Sequence, residues 1–262
     1  MYGIQRQSLI LEMLVAEGEV EVAKLAEKFG TSKETIRRDL REMEDSGLLT
    51  RTHGGAVSAN HLVGEGYEYP LLVRGLQKYE EKQMICRATI PLLEDGDTIF
   101  LDNSSTTMSL LKYIPSSLKI TIVTNSIQVI LEAGKLNNPN LVVMCLGGIF
   151  YEKNYSLTGV MSMDAANRFF PDKAIMSCRG IEKRSGMTDA SIYEIDVKRK
   201  MLENAKRFIL MADYTKFGLT GAIHLGRLDE IDILVTDSKV SPEMIGMFDE
   251  FPTKVIIAEE EM

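Results

Sequence analysis

The chain has 262 residues, 45% hydrophobic and 26% charged, with a formal net charge of −8. That mix lies near the globular average and excludes a largely disordered chain, and the length suits one large domain or two unequal ones. No apolar run reaches the roughly 18 to 20 residues that span a bilayer, and the start lacks the charged-then-apolar pattern of a secretory leader, so the sequence reads as a soluble cytoplasmic protein without a membrane partner.

Residues 6–16 place Leu9, Ile10, Met13 and Leu14 on one helical face. Residues 22–29 repeat the pattern with Val22, Leu25, Ala26 and Phe29. Gly30 then predicts the end of that helix, as glycine does where a positive φ is needed. Ser32 or Thr31 can cap a third helix over 33–44, and Thr31 with Glu34 has capping-box spacing. Two short helices joined by a tight glycine-containing turn form a helix-turn-helix.

In the third helix Ile36, Leu40 and Met43 fall on one stripe, set to pack on the first two. Thr35, Arg38 and Arg41 lie away from it, with Lys33 and Arg37 on the flanks, while Glu42, Glu44 and Asp45 collect at the far end. The first 57 residues hold eight basic and ten acidic side chains, so net charge does not suggest DNA; the arrangement does. A recognition helix enters the major groove by its N-terminal residues, and here that end is the basic one. Its amides add to phosphate binding. Residues 48–57 read as a small hairpin, a wing whose Arg51, Thr52 and His53 can touch the DNA backbone or minor groove. Taken singly, each of these is equally an ordinary surface side chain. Taken in order, they make Ser32, Lys33, Thr35, Arg37, Arg38, Arg41, Arg51 and His53 candidate DNA contacts.

Residues 32–40 (Ser-Lys-Glu-Thr-Ile-Arg-Arg-Asp-Leu), followed by 51–56 (Arg-Thr-His-Gly-Gly-Ala), resemble the DeoR family of bacterial transcriptional regulators. The resemblance implies a winged helix-turn-helix bound to double-stranded operator DNA and a C-terminal sugar-phosphate sensor. It also implies, as a rule, repression of a sugar-catabolic operon by a homo-oligomer, a dimer or a tetramer.

Residues 58–69 show no clear period and precede Pro70, which predicts a linker with His61 in solvent. The chain therefore divides into a DNA-binding domain at 1–57, the linker, and an effector-sensing domain at 70–262. A helix is expected at 78–93. Short apolar strands follow at 98–101, 120–123, 141–146, 173–177, 208–212, 231–235 and 255–258, with helices at 108–113, 127–133, 195–204 and 242–248. Such alternation predicts an α/β fold with a mostly parallel sheet and helices on both faces. Cys86, Cys145 and Cys178 are too few and too widely spaced for a disulfide framework or a zinc site; they read as buried packing residues, and no metal or cofactor is expected.

In an open parallel sheet the C-terminal strand ends line the ligand crevice. Here they carry Asp102 with the hydroxyl run Ser104, Ser105, Thr106 and Thr107, then Thr124 with Asn125, then Gly147 with Gly148, Arg179 with Gly180, Asp213 to Lys216, and Thr236 with Asp237. Four hydroxyl residues at a helix start suit a phosphate, although the same run can serve as a plain polar cap. The loop is no Walker A motif, and the chain has no GxGxxG fingerprint.

The segments Gly96 to Asp102, Gly186 to Thr188, Val197 to Arg199 and Asp213-x-x-Lys216-Phe217-Gly218 continue the resemblance. It implies a sensor similar in fold to ribose-5-phosphate isomerase. It also implies Asp102, Ser104, Ser105, Thr106, Thr107, Thr124, Asn125, Gly147, Gly148, Lys198 and Lys216 as effector contacts. Lys198 reads equally as a solvated helix lysine. Two positions depart from the family pattern: Tyr151 stands where an arginine is frequent, and Arg179 where small residues are favoured. Arg179 either restores the charge lost at Tyr151 or faces solvent.

The leading reading is a repressor controlled by a phosphorylated sugar. A sugar-phosphate isomerase with an appended DNA-binding module is the alternative, with Asp102, Asp189 and Asp213 as the available acids. An architectural DNA binder with an inert C-terminal domain fits a polar crevice poorly.

Overall fold

The computed structural model describes residues 3–58 and 71–259; the linker residues 59–69, with His61, and Pro70 lie outside them. The chain forms two compact units, Met1–Glu80 and Glu81–Met262.

In the first unit α1 (Gly3–Glu17), β1 (Glu19–Glu21), α2 (Val22–Lys28) and α3 (Lys33–Asp45) precede the wing, β2 (Leu49–Arg51) and β3 (Gly55–Ser58). All three strands form one small antiparallel sheet in the order β1-β3-β2. Gly30 takes φ +59 between α2 and α3, as the turn demands. Ile36, Leu40 and Met43 are buried against Leu25, Ala26, Ile10 and Leu14. The buried stripe of α1 differs from the expected one: Leu11 is inside and Leu9 is exposed. A further helix explains the shift. α4 (Leu71–Leu76) packs on α1, and Val73 joins this core. Ser8 Oγ also bonds the Leu76 carbonyl, and Lys78 bonds Glu12. The division between units thus falls about ten residues after the expected start at residue 70.

In the second unit α5 (Tyr79–Thr89), begun at the end of the first, leads into β4 (Thr98–Leu101), α6 (Ser105–Leu110), β5 (Ile120–Thr124), α7 (Ile127–Lys135) and β6 (Leu141–Cys145). A hairpin of β7 (Ile149–Tyr151) and β8 (Ser156–Thr158) comes next, then α8 (Val160–Ala166) and β9 (Lys173–Met176). The remainder is β10 (Gly180–Glu182), β11 (Gly186–Asp189), α9 (Ile195–Asn204), β12 (Phe208–Met211), β13 (Ile223–Gly226), β14 (Ile233–Asp237), α10 (Pro242–Gly246) and β15 (Lys254–Ala258).

Seven of these strands form a parallel sheet in the order β15-β14-β12-β9-β4-β5-β6. They are the seven apolar runs, and β4, β9, β12 and β14 are buried on both faces. One apolar layer, with Phe100, Met176, Leu210 and Leu234, lies on one face; the other holds Ile99, Ile122, Ile175 and Ile209. β10, β11 and β13 make a separate antiparallel sheet that the sequence reading lacked.

Cys86 and Cys178 are buried as expected, and burial pushes both thiols up to about 12. Cys145 is exposed instead, because β6 is the edge strand. No helix among the described residues is long and apolar enough to cross a membrane.

Candidate functional site

On α3, Ser32 is the cap in place of Thr31: its Oγ accepts from the Thr35 amide at 3.1 Å and pairs with the Thr35 hydroxyl at 2.9 Å. Both hydroxyls are therefore used within the helix. Lys33, Arg37, Arg38 and Arg41 are all exposed. Arg37 lies 3.4 Å from Glu34, a loose and solvated pair worth little. In the wing His53 is exposed, whereas Arg51 is tied to Glu44 through its amide at 2.9 Å and its guanidinium at 3.4 Å.

A residue that pattern reading missed orients this helix. Asp39 is buried beneath it and takes two bonds from Arg6 of α1, at 2.5 and 3.0 Å. The hydrogen bond to Asp39 holds the guanidinium above its ordinary pKa. This fork fixes the pitch of α3 on α1, and so the direction in which Arg38 and Arg41 project.

The second constellation lies at the C-terminal ends of the parallel strands. Asp102, at the end of β4, is fully buried and saturated. It accepts from the Ser104 amide at 3.1 Å, the Thr107 hydroxyl at 2.6 Å, the Ser177 amide at 3.2 Å and the Lys198 ammonium at 3.0 Å. Lys198 is no solvated lysine. Its ammonium also meets Asp189 at 2.5 Å and the Ser177 carbonyl at 2.7 Å, so its three N–H donors are all occupied. Burial alone would favour the neutral amine, but Asp189 and Asp102 outweigh it and hold Lys198 protonated, above its usual pKa. This triad ties β4, α9 and the small sheet together.

Ser104 caps α6 as Ser32 caps α3, accepting from the Thr107 amide at 3.1 Å. Thr124 is spent on the Leu101 carbonyl at 2.6 Å and on the Ser126 amide. Thr106 is buried. What remains for a ligand lies around the start of α6, where the amides of Ser105 and Thr106 have no intrahelical acceptor. Lys82 of α5, buried and absent from the sequence reading, reaches Ser105 Oγ at 3.1 Å. Asp213 follows β12 and faces the same cations. Burial would raise its pKa, but Lys216 and Lys82 outweigh it and keep it below the ordinary carboxylate value.

Several further polar atoms at or near these strand ends are buried without hydrogen-bond partners. Asn125 is fully buried; its amide NH₂ donates to the Leu157 carbonyl at 3.3 Å, and its Oδ1 has no donor. Ser191 Oγ and Thr236 Oγ1 are likewise buried without partners. Glu194, also missed, gathers Asn103 at 2.5 Å, Asn154 at 2.6 Å and the Ser156 hydroxyl, tying the β7–β8 hairpin to the loop after β4. Gly147 and Gly148 take φ +72 and +119, and a Cβ on Gly148 would strike Ser162 and the Thr158 carbonyl. Arg179 is half-buried, its amide on the Thr188 carbonyl, and Tyr151 meets Tyr193 in a tilted ring pair with centroids 5.1 Å apart. No group of three or more metal-ligating side chains occurs among the described residues.

Lys82 lacked a sequence signal because Glu81, Lys82 and Gln83 are three consecutive polar residues that are all buried. Glu194 lacked one because its partners lie 38 to 91 residues away.

Comparison with known proteins covers nearly the whole chain. The DeoR-like helix-turn-helix domain matches residues 6–61, and the DeoR C terminal sensor domain matches residues 77–238. The HTH-type transcriptional regulator YulB of Bacillus subtilis is 31% identical over 97% of this chain and 96% of its own length. GolR of Listeria innocua, an HTH-type transcriptional regulator, is 30% identical over 99% of this chain and 100% of its own. The glycerol-3-phosphate regulon repressor of Escherichia coli is 27% identical over 91% and 92%. Among solved structures, ribose 5-phosphate isomerase A of Methanocaldococcus jannaschii aligns with 54% of this chain and 55% of its own at 15% identity and a TM-score of 0.40.

Proposed function

This chain belongs to the DeoR family of transcriptional regulators, and on that premise we propose that it represses a sugar-catabolic operon, with operator affinity set by a phosphorylated sugar bound at the C-terminal ends of the parallel strands. The observation that carries the effector reading is the start of α6. There Lys82 stands 3.1 Å from Ser105 Oγ, beside first-turn amides that lack acceptors. A phosphate dianion meets those amides and the Lys82 and Lys216 ammonium groups. The sugar end extends towards Asn125, whose orphaned Oδ1 accepts a hydroxyl proton. A relative named for its control of a glycerol-3-phosphate regulon supports both the phosphorylated ligand and the sign of regulation.

In this reading Asp102, Ser104, Thr107, Thr124 and Lys198 hold the site's shape, and Ser105, Thr106, Asn125, Gly147, Gly148, Arg179 and Lys216, joined by Lys82, face the ligand. On the DNA side Lys33, Arg37, Arg38 and Arg41 enter or flank the major groove, Ser32 and Thr35 hold the helix start, and Arg51 and His53 approach the backbone from the wing. The protein acts in the cytoplasm as a homo-oligomer. Isomerase chemistry is disfavoured because a general base needs an uncommitted carboxylate near the substrate. Asp102 and Asp189 are both engaged by Lys198, and Asp213 accepts from the Thr215 amide and hydroxyl and is held below, not raised above, the ordinary carboxylate pKa.

A gel shift on the DNA upstream of the regulated operon, repeated across a panel of sugar phosphates, tests this reading. Sequence-selective binding that one phosphorylated sugar abolishes is the expected result. Binding without sequence preference, or binding that no sugar phosphate changes, contradicts it. An isomerase assay on the same panel is expected to show no turnover.

A further inference from the structure

Glu194 is a buried carboxylate whose bonded partners among the described residues include no cation. It accepts from the Asn103 amide at 2.5 Å, the Asn154 amide at 2.6 Å and the Ser156 hydroxyl. The buried acids Asp39, Asp97 and Asp102 each meet a guanidinium or an ammonium instead. Tying the β7–β8 hairpin to the loop after β4 takes hydrogen bonds but not a charge. A buried charge without a counter-ion is costly to keep, so its presence asks for a second role.

The carboxylate stands between the two loops that the effector reading uses. Asn103 lies between Asp102 and Ser104, in the loop that starts α6. Ser156 forms a β-bridge with Ser126, and the next residue, Leu157, exchanges bonds with Asn125 at 2.7 and 3.3 Å. Two orphaned polar atoms belong to the same surroundings. One is Asn125 Oδ1; the other is Ser191 Oγ, from the turn in which the Ser191 carbonyl accepts the Glu194 amide. Both side chains are more than nine-tenths buried. A ring pair joins the same elements: Tyr151, opposite Ser156 in the hairpin register, meets Tyr193, the residue before Glu194. Tyr193 is 61% exposed, so its ring is open to a ligand.

Charge changes sign along these strand ends. Lys216 follows β12, two strands to one side of β4, and Asn125 follows β5 on the other side. On the β5 side the uncompensated charge is that of Glu194. Lys198 between Asp102 and Asp189 leaves a further net negative charge, and Glu152 and Lys153 of the hairpin turn offset each other.

We propose that Glu194 sets the class of effector: a phosphorylated sugar or polyol whose other end is uncharged, taken in preference to one that ends in a carboxylate or a second phosphate. The inference rests on the phosphorylated-sugar reading above. A hydroxyl at that end donates to the orphaned Asn125 Oδ1, and the tyrosine pair covers the carbon chain. A second anion brings like charge beside a buried carboxylate, where repulsion is poorly screened.

The test is titration calorimetry of the full chain with glucitol, glucitol 6-phosphate and 6-phosphogluconate, which differ only at their ends, and with the corresponding pentitol series. Wild type should favour glucitol 6-phosphate over free glucitol, and over 6-phosphogluconate by about tenfold or more. Glu194→Gln keeps the side chain's size and an acceptor for Asn103 and Ser156, and Asn154 can turn its amide to match the new NH₂. It should retain the first preference and lose most of the second. A purely structural clamp would weaken both phosphorylated ligands alike and leave their ratio unchanged. Tyr151→Arg, with wild-type circular dichroism, adds a cation on the same wall and should strengthen 6-phosphogluconate binding alone, by about tenfold. Wild type that binds 6-phosphogluconate as tightly as glucitol 6-phosphate overturns the proposal and leaves the phosphate reading intact. So does a full second preference in folded Glu194→Gln, or a folded Tyr151→Arg with no gain for the acid. Glucitol 6-phosphate bound no better than glucitol means that the phosphate reading itself has failed, and this proposal with it.

Discussion

Two helices with the same start do opposite things in this molecule. Ser32 caps α3 at φ −75° and ψ 150°, and Ser104 caps α6 at −77° and 152°. Each serine accepts an amide at 3.1 Å, and each pairs with a threonine hydroxyl three residues on, at 2.9 and 2.8 Å. The surroundings differ. Around α3 the cations are exposed, the arrangement suited to a long polyanion reached from solvent. Around α6 the charges are buried and mostly neutralised by one another, as with Lys198 between Asp102 and Asp189. In the proposed reading a small anion entering there meets only the few donors left over, and that scarcity permits selection. The cap sets the helix; the charge around it decides the ligand.

The largest expected effect comes from breaking the buried pair in each unit. Arg6→Met strands Asp39, and Lys198→Met strands Asp102 with Asp189, and removing one partner of a buried pair costs about 3–5 kcal/mol. For the sensor unit that is a fall in Tm of about 10 °C or more. Arg6→Met should destabilise the DNA-binding unit and spare the sensor, and Lys198→Met should do the reverse, as read by calorimetric melting. A Lys198→Met protein with unchanged melting would mean that the triad is not formed.

Arg38→Ala separates recognition from stability. Loss of a bidentate base contact costs about 1–3 kcal/mol of operator binding and relaxes specificity. If Arg38 meets phosphate instead, affinity falls evenly across sequences and the salt slope drops by about one. Melting should not change in either case. Unaltered operator affinity in the folded variant would remove α3 from the groove.

Ser32→Ala and Ser104→Ala remove the two equivalent caps, each worth about 1 kcal/mol. The comparison predicts equal destabilisation with different consequences: the first weakens DNA binding, the second effector binding. Equal losses of both functions in both variants would erase the distinction drawn above.

The smallest effect is one of pH. Asp213 is held below its ordinary pKa because Lys216 and Lys82 outweigh burial. A carboxylate with a depressed folded pKa stabilises above its unfolded value, about 3.9, and loses that contribution as pH falls through the folded value. The sensor should therefore lose Tm below about pH 4 more steeply in wild type than in Asp213→Asn. Parallel acid profiles would show that Asp213 gains nothing from its cations.

The parallel sheet was legible because strands buried on both faces are short apolar runs that end in turn residues. Ile120 to Thr124 and Phe208 to Met211 announce themselves in this way. The hairpin β7–β8 and the sheet β10-β11-β13 were not legible, since β8, β10, β11 and β13 mix apolar with polar or glycine residues and so give no continuous apolar run. α8 was hidden because Val160 and Met161, exposed at its start, contradict an inward apolar pattern. Hydroxyl and carboxylate residues stand at the strand ends where the sequence placed them, as Asp102 after β4 and Thr124 at the end of β5 do. Which of them are spent internally depends on Lys198, Lys82 and Glu194, whose partners are distant in sequence.

As proposed, the sensor binds a phosphorylated sugar through donors at the start of α6. Titration calorimetry with matched pairs of free and phosphorylated sugars tests it most directly. Charge-assisted hydrogen bonds are about twice as strong as neutral ones, so several together should favour the phosphorylated member by about a hundredfold or more. That preference should vanish in Lys82→Ala combined with Lys216→Ala. Equal affinity for both members of the best pair, or a preference that survives the double substitution, would contradict the account.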